Sequence, residues 1–145
     1  MRILHWLKQR VNQGDLPAQS HHPVRVEALI VEDQKEEADL LDSLLRVQGV
    51  IVHQANSISM AMQFINSPTR YQLAFVDLNL PDGSGIEVVR RIKESRRMTH
   101  AIVVSGGIEK IPLVMSYGYI GLLGKPYTID SMREILSKHR LPCAF

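Results

Sequence analysis

Leu73-Ala74-Phe75-Val76-Asp77 runs directly into Leu78-Asn79-Leu80-Pro81-Asp82-Gly83. Four apolar residues lead to a carboxylate, and proline and glycine then end the run. A short apolar run bounded by turn residues reads as a strand buried on both faces. Asp77 then stands at the strand's C-terminal end, the edge at which open parallel α/β sheets bind ligands. It is therefore a candidate reactive group, and the rest of the chain is read for what it brings to the same edge.

Upstream, residues 24–31 are strand-like and end in Ala28-Leu29-Ile30-Val31, with Glu32-Asp33 directly after. Residues 34–48 are helical, with Leu40, Leu41, Leu44, Leu45 and Val47 as the apolar stripe and Glu36, Glu37, Asp39 and Asp42 outside it. Gly49 is the expected helix stop. Residues 50–55 form a second strand. Ser57 caps a helix carrying Ile58, Ala61, Met62 and Ile65.

Downstream, Ser84-Gly85-Ile86-Glu87 reads as a capping box opening a third helix with Ile86, Val89 and Ile92. Arg90, Arg91, Lys93, Arg96, Arg97 and His100 lie near its end, and read as a solvated helix face with favourable end charges in preference to a nucleic-acid patch. Ala101-Ile102-Val103-Val104-Ser105 is a fourth buried strand ending in a hydroxyl. A weaker helical stretch, Ile108 to Tyr117, follows Gly106-Gly107. Tyr119-Ile120-Gly121-Leu122-Leu123 is the fifth strand and leads into Gly124-Lys125-Pro126; Thr128 caps a last helix with Ile129, Met132, Ile135 and Leu136 on one face.

Five apolar strands alternating with five helices predict an α/β fold: a doubly wound, five-stranded parallel sheet covered on both faces. A (β/α)₈ barrel would need about 250 residues, and this chain has 145. The division is an N-terminal extension and linker (1–23), one domain (24–140) and a short tail (141–145). In the extension, Ile3, Leu4, Leu7 and Val11 fall at helical spacing among Arg2, Lys8 and Arg10, and read as an extension that frays or packs loosely on the domain, in preference to a short basic amphipathic helix for a membrane surface or partner. His21 and His22 lie in a polar linker and read as solvated.

Composition supports one globular domain: 45% hydrophobic and 22% charged residues. A net charge of +2 gives little reason to invoke nucleic acid. No apolar run approaches the roughly 20 residues that span a bilayer. The single cysteine, Cys143, excludes an internal disulfide and suits a cytoplasmic location.

The strand ends form a set. Glu32 and Asp33 follow strand one, Asp77 ends strand three, Ser105 ends strand four and Lys125 follows strand five. In a parallel sheet these ends share one edge. Clustered carboxylates favour a hard cation with oxygen ligands, most naturally Mg²⁺. An aspartate can act as a nucleophile toward phosphorus, while a metal, a lysine and a hydroxyl stabilise the transferring group. No histidine stands near a strand end as a base for Ser105, and there is no Walker loop.

On these residues the chain resembles the receiver domain of two-component response regulators over roughly Val24 to Lys138. The matching motifs are Val31-Glu32-Asp33, Asp77 to Gly85, Val104-Ser105-Gly106 and Lys125-Pro126-Tyr127. The resemblance implies a flavodoxin-like fold with strand order 2-1-3-4-5. It implies that Asp77 is the phosphoacceptor, that Asp33, Asp77 and the backbone carbonyl of Asn79 bind Mg²⁺ with Glu32 assisting through water, and that Ser105 and Lys125 contact the phosphoryl group. It also implies a cis Lys125–Pro126 bond. The partners implied are a sensor histidine kinase or histidine phosphotransfer protein and a downstream protein; a homodimer is compatible with the sequence.

Three departures concern the family's output face. Leu122 stands where the family usually has a switching Phe or Tyr. Gly106 replaces the usual alanine. The segment between Ser105 and Lys125 is short, which predicts a reduced fourth helix. The leading expectation is a stand-alone phosphoacceptor switch, since few residues remain after Lys138. It would catalyse only its own phosphorylation and dephosphorylation and is not otherwise an enzyme. The alternatives are an interaction module independent of phosphorylation, favoured by Leu122, and a phosphatase of the haloacid-dehalogenase type. The last normally needs a second aspartate where this chain has Asn79, which cannot serve as a general acid.

Overall fold

The structure is a computed structural model and describes residues 26–47, 49–95, 99–106 and 121–138, apart from the side chains of residues 132 and 135–138. Within these, the strands are β1 (Glu27–Val31), β2 (Ile51–Ala55), β3 (Leu73–Asp77), β4 (Asn79–Leu80), β5 (Gly83–Ser84), β6 (His100–Ser105) and β7 (Gly121–Gly124). The helices are α1 (Lys35–Val47), α2 (Ile58–Ile65), α3 (Ile86–Glu94) and α4 (Ile129–Lys138).

The sheet is parallel with order β2-β1-β3-β6-β7. Counting only its own five strands, this is the expected 2-1-3-4-5; β4 and β5 form a separate two-residue antiparallel hairpin just past Asp77. The central strands show why the apolar runs were unbroken. Every residue of β3 and β6 is buried, whichever face it points to.

One core lies under α1 and α4. It joins Ile30, Phe75, Ile102, Val104 and Leu123 of the sheet to Ala38, Leu41 and Leu45, with Ile129 packed at its margin. The other lies under α2 and α3 and joins Leu29, Val31, Ala74, Val76 and Val103 to Ala61, Ile65, Ile86, Val89 and Ile92. Neighbouring residues such as Leu29 and Ile30 enter opposite cores, as strand alternation requires.

The helix punctuation follows local chemistry. Gly49 has φ 82°, its amide donates to Arg46 O at 2.8 Å and that of Val50 to Leu45 O at 3.2 Å. This is a Schellman ending, which needs a left-handed residue that glycine supplies. Ser57 caps α2, accepting from the Met60 amide at 3.1 Å. Thr128 caps α4 reciprocally with Ser131: Thr128 Oγ1 accepts from the Ser131 amide at 3.2 Å, and Ser131 Oγ from the Thr128 amide at 2.8 Å.

Three expectations are corrected. The buried stripe of α1 is Ala38, Leu41 and Leu45, whereas Leu40 is 49% and Val47 82% exposed; the helix buries a narrower arc than its apolar residues span. The capping box at Ser84 does not form, because the N-cap is Gly85, without a side-chain cap. Ser84 Oγ instead accepts from Ile86 N at 3.3 Å, and Glu87 pairs with Arg90 at 3.3 Å. His100 belongs to no basic surface: it opens β6 and is buried. The Ile108–Tyr117 helix, the extension and tail, and Arg96 and Arg97 fall outside the described residues. No described helix is long and apolar enough to cross a membrane.

Burial lowers the His100 pKa to about 4 from 6.5. A depressed folded-state pKa contributes stability that is present above the unfolded value and lost as pH falls toward the folded one. We predict that His100→Leu flattens this dependence. Urea midpoints at pH 7 and pH 5 should show wild type losing roughly 2 kcal/mol more than the variant across that interval; parallel losses would reject the assignment.

Candidate functional site

The ladders of the sheet run one residue beyond the strands and fix the main chain of the site. The Glu32 amide donates to Ala55 O at 2.9 Å, that of Leu78 to Val104 O at 3.3 Å, and that of Lys125 to Ser105 O at 3.0 Å. Residues that leave the sheet at its C-terminal edge are thereby held in strand register with their neighbours.

Lys125 gathers the side chains. Its Nζ donates to Asp77 Oδ2 at 2.8 Å and to Glu32 Oε2 at 3.0 Å. It also pairs with Glu37 Oε2. Asp77 Oδ1 accepts from the Asn79 amide at 2.9 Å, and Glu32 Oε1 from the Gln34 amide at 3.0 Å. Glu32 and Asp77 are buried while Asp33 is exposed, and one ligand atom from each lies within 4.8 Å of the others. Three carboxylates so placed, one open to solvent, fit a hard divalent cation. Ser105 is buried at the end of β6, one residue past the Val104 that stands opposite Asp77. The Lys125–Pro126 bond is cis, as expected.

The electrostatics separate the two buried acids. Burial, reinforced by the hydrogen bond to Asp77, pushes Glu32 up to about 7 against the pull of Lys125 and the Gln34 amide. Burial also opposes ionisation of Asp77, but hydrogen bonds from Glu32, Lys125 and the Asn79 amide outweigh it and hold Asp77 below the usual carboxylate range. Of the two buried acids, Asp77 is therefore the more readily ionised. Burial would lower Lys125, yet the carboxylates of Asp77, Glu37 and Glu32 hold it above its ordinary value. The site thus presents an anionic oxygen nucleophile beside a fixed ammonium.

Four further residues complete the geometry. A Cβ on Gly85 would lie 2.0 Å from the Asp77 carbonyl oxygen and 3.0 Å from Val76 Cγ1, while the Gly85 amide donates to Leu78 O at 2.9 Å. Asp82 accepts from the Ile58 and Ser59 amides at 2.9 and 3.0 Å, tying the loop after Asp77 to the start of α2. Glu37, expected to face solvent, turns to Lys125. The Tyr127 hydroxyl, raised to about 12 by burial and the nearby carboxylates, stays protonated and donates to Glu37 O at 3.0 Å. Asp82-Gly83 was legible as a turn, but no local pattern marks the distant partners of these four. Leu122 is half-buried against the α2/α3 core.

With this fold and edge in place, the family follows: residues 28–137 match the response regulator receiver domain, and the chain belongs to that family. It is similar to response regulator protein PilR of Pseudomonas aeruginosa, 25% identical over 115 residues, 78% of this chain and 26% of PilR. It is also similar to sporulation initiation phosphotransferase F of Bacillus subtilis, 26% identical over 113 residues, 77% of this chain and 90% of that protein. The chain thus spans about a quarter of PilR and nearly all of the Bacillus protein. The CheY-like receiver domain protein of Methanospirillum hungatei shares the fold, with TM-score 0.72 and 23% identity over 81% of this chain and 95% of that one.

Space rather than backbone conformation makes Gly85 irreplaceable, since its φ is an ordinary −61°. We predict that Gly85→Ala destabilises the domain by about 2 kcal/mol or more in urea unfolding, and that Ser84→Ala, which loses only a long Oγ contact, costs less than about 1 kcal/mol. Equal effects would place the constraint elsewhere.

Proposed function

We propose that this receiver domain is a phosphoacceptor switch in a two-component phosphorelay, with Asp77 as the acceptor. The observation that carries the reading is the Lys125 ammonium shared between a buried ionised Asp77 and Glu32. An Asp77 carboxylate oxygen attacks the phosphorus of a phosphohistidine on a histidine kinase or phosphotransfer protein. The new O–P bond forms as the P–N bond breaks, and the imidazole nitrogen keeps the electron pair. Asp77 is spared a proton-transfer step because it is already ionised.

Lys125 holds Asp77 in place before transfer, and its charge lowers the cost of bringing in a phosphoryl anion. Ser105, at the end of the adjacent strand, donates its hydroxyl to a phosphoryl oxygen. Glu32, Asp33, Asp77 and the backbone carbonyl of Asn79 would hold Mg²⁺, which supplies neutralisation of phosphoryl charge. The domain acts on no separate substrate: it catalyses its own phosphorylation and dephosphorylation. Because Leu122 has no ring or polar tip to exchange between inner and outer pockets, the switch is read mainly through Ser105-Gly106 and the segment after it, which alters the binding of a downstream protein.

Acetyl phosphate with Mg²⁺ should add one phosphoryl group by intact mass, and Asp77→Asn should add none. An undiminished adduct on Asp77→Asn would remove Asp77 from the role, and no adduct on wild type would favour a phosphorylation-independent interaction module.

Mg²⁺ should raise the melting temperature by a few degrees, as binding to the native state does by mass action. Asp33→Ala should abolish most of that shift; its full retention would exclude Asp33 as a ligand.

A further inference from the structure

Lys125 has three N–H donors, and in this structure three carboxylates surround it. Two of them, Glu32 and Asp77, belong to the site already described. The third, Glu37, comes from the first turn of α1 and is not in the acidic group that fits a cation. Its Oε2 is buried from solvent, and the Lys125 ammonium is its ion-pair partner.

The same residue is gripped a second time, because the Tyr127 hydroxyl donates to the Glu37 carbonyl at 3.0 Å. The Lys125-Pro126-Tyr127 segment is thereby fastened to α1 twice through a single residue, once by charge and once by a neutral hydrogen bond. The acceptance site thus carries one carboxylate more than the metal set needs, and that carboxylate occupies the cation meant for the phosphoryl group.

We infer that Glu37 is a positioning residue that parks the Lys125 ammonium and competes with the phosphoryl group for it. This rests on the phosphoacceptor reading above. Asp77, Glu32 and Glu37 share the three donors in the unphosphorylated domain. A phosphoryl anion on Asp77 needs at least one of them, and Glu37 is the carboxylate that can release Lys125 without leaving the metal set. Its negative charge also repels the incoming anion while attracting a divalent cation. Glu37 therefore has opposite effects on the two ligands of the site: it strengthens cation binding and weakens anion binding. A residue that merely braces the loop would move both affinities in the same direction, or neither.

The experiment compares wild type, Glu37→Gln, Glu37→Asp and Tyr127→Phe by calorimetric titration, first with Mg²⁺ alone and then with beryllofluoride at saturating Mg²⁺. Glu37→Gln keeps the shape and removes the charge. It should bind beryllofluoride about three- to tenfold more tightly and Mg²⁺ about two- to threefold more weakly, as expected for one charge acting across a few ångströms at partial burial. Glu37→Asp keeps the charge but withdraws it by one methylene, so it should fall between; it decides the question should Glu37→Gln not fold. Tyr127→Phe removes only the neutral tether and should lower the melting temperature while leaving both affinities within about twofold.

Unchanged affinities in the Glu37 variants, or changes of the same sign for both ligands, would overturn the inference and leave the phosphoacceptor reading standing. A wild-type protein that binds no beryllofluoride and takes no phosphoryl adduct would overturn the phosphoacceptor reading, and the inference with it.

Discussion

The site depends on a single ammonium held among carboxylates at the end of a buried sheet. Glu32 and Asp77 are drawn from two adjacent strands, and both are shielded from water. Ionised side by side, they would repel strongly in a medium of low polarity. Lys125 relieves this by donating to both, and the pair divides unevenly, Asp77 being the more readily ionised. Removing Lys125 would leave the acids uncompensated, a more severe change than losing one favourable contact, because stranded buried charge is what costs most. The third strand end thus has to bring a cation to that point. The ladder bond from the Lys125 amide to Ser105 O is what aims it there.

The two faces of the sheet serve this edge differently. The α1/α4 core carries Tyr127 and the start of α1, which reach up to Lys125 through Glu37. The α2/α3 core carries the loop after Asp77: Asp82 ties it to the α2 amides, and Gly85 presses it onto the Asp77 carbonyl. The Lys125 ammonium and the Asp77 carboxylate are therefore each anchored to a different hydrophobic layer and meet at the strand ends.

Much of this was legible in the order of residues because central parallel strands cannot alternate. Burial on both faces demands continuous apolar runs, and β1, β3 and β6 show them, with a polar residue closing the run or directly after it: Glu32 after β1, Asp77 at the end of β3 and Ser105 at the end of β6. Asp33, Asp77, Ser105 and Lys125 could be grouped by that logic alone. What escaped was whatever depends on distant partners. Glu37 follows the charged pattern of a solvated helix face, and only the fold brings Lys125 beside it. Gly85 sits in a sequence that matches a capping box, yet a carbonyl eight residues back requires the missing side chain. Leu40 and Val47 extend the apolar pattern of the helix, yet both are exposed. His100 lay beside a basic run in sequence and belongs instead to the strand that follows it.

The contact between Gly85 and the Asp77 carbonyl also decides which part of the molecule is the frame and which is the mechanism. Main chain packed against main chain, with no side chain between, has no rotamer through which to yield. Asp77 is further tied by its ladder to β6 and by the Asn79 amide. New bulk and charge at its carboxylate cannot be absorbed by retreat of the backbone that bears it. Asp77 is the stationary point, and adjustment falls to groups with freedom to turn: the long Lys125 side chain and the Ser105 hydroxyl. A change at this carboxylate would therefore be taken up by its surroundings, with Asp77 itself fixed.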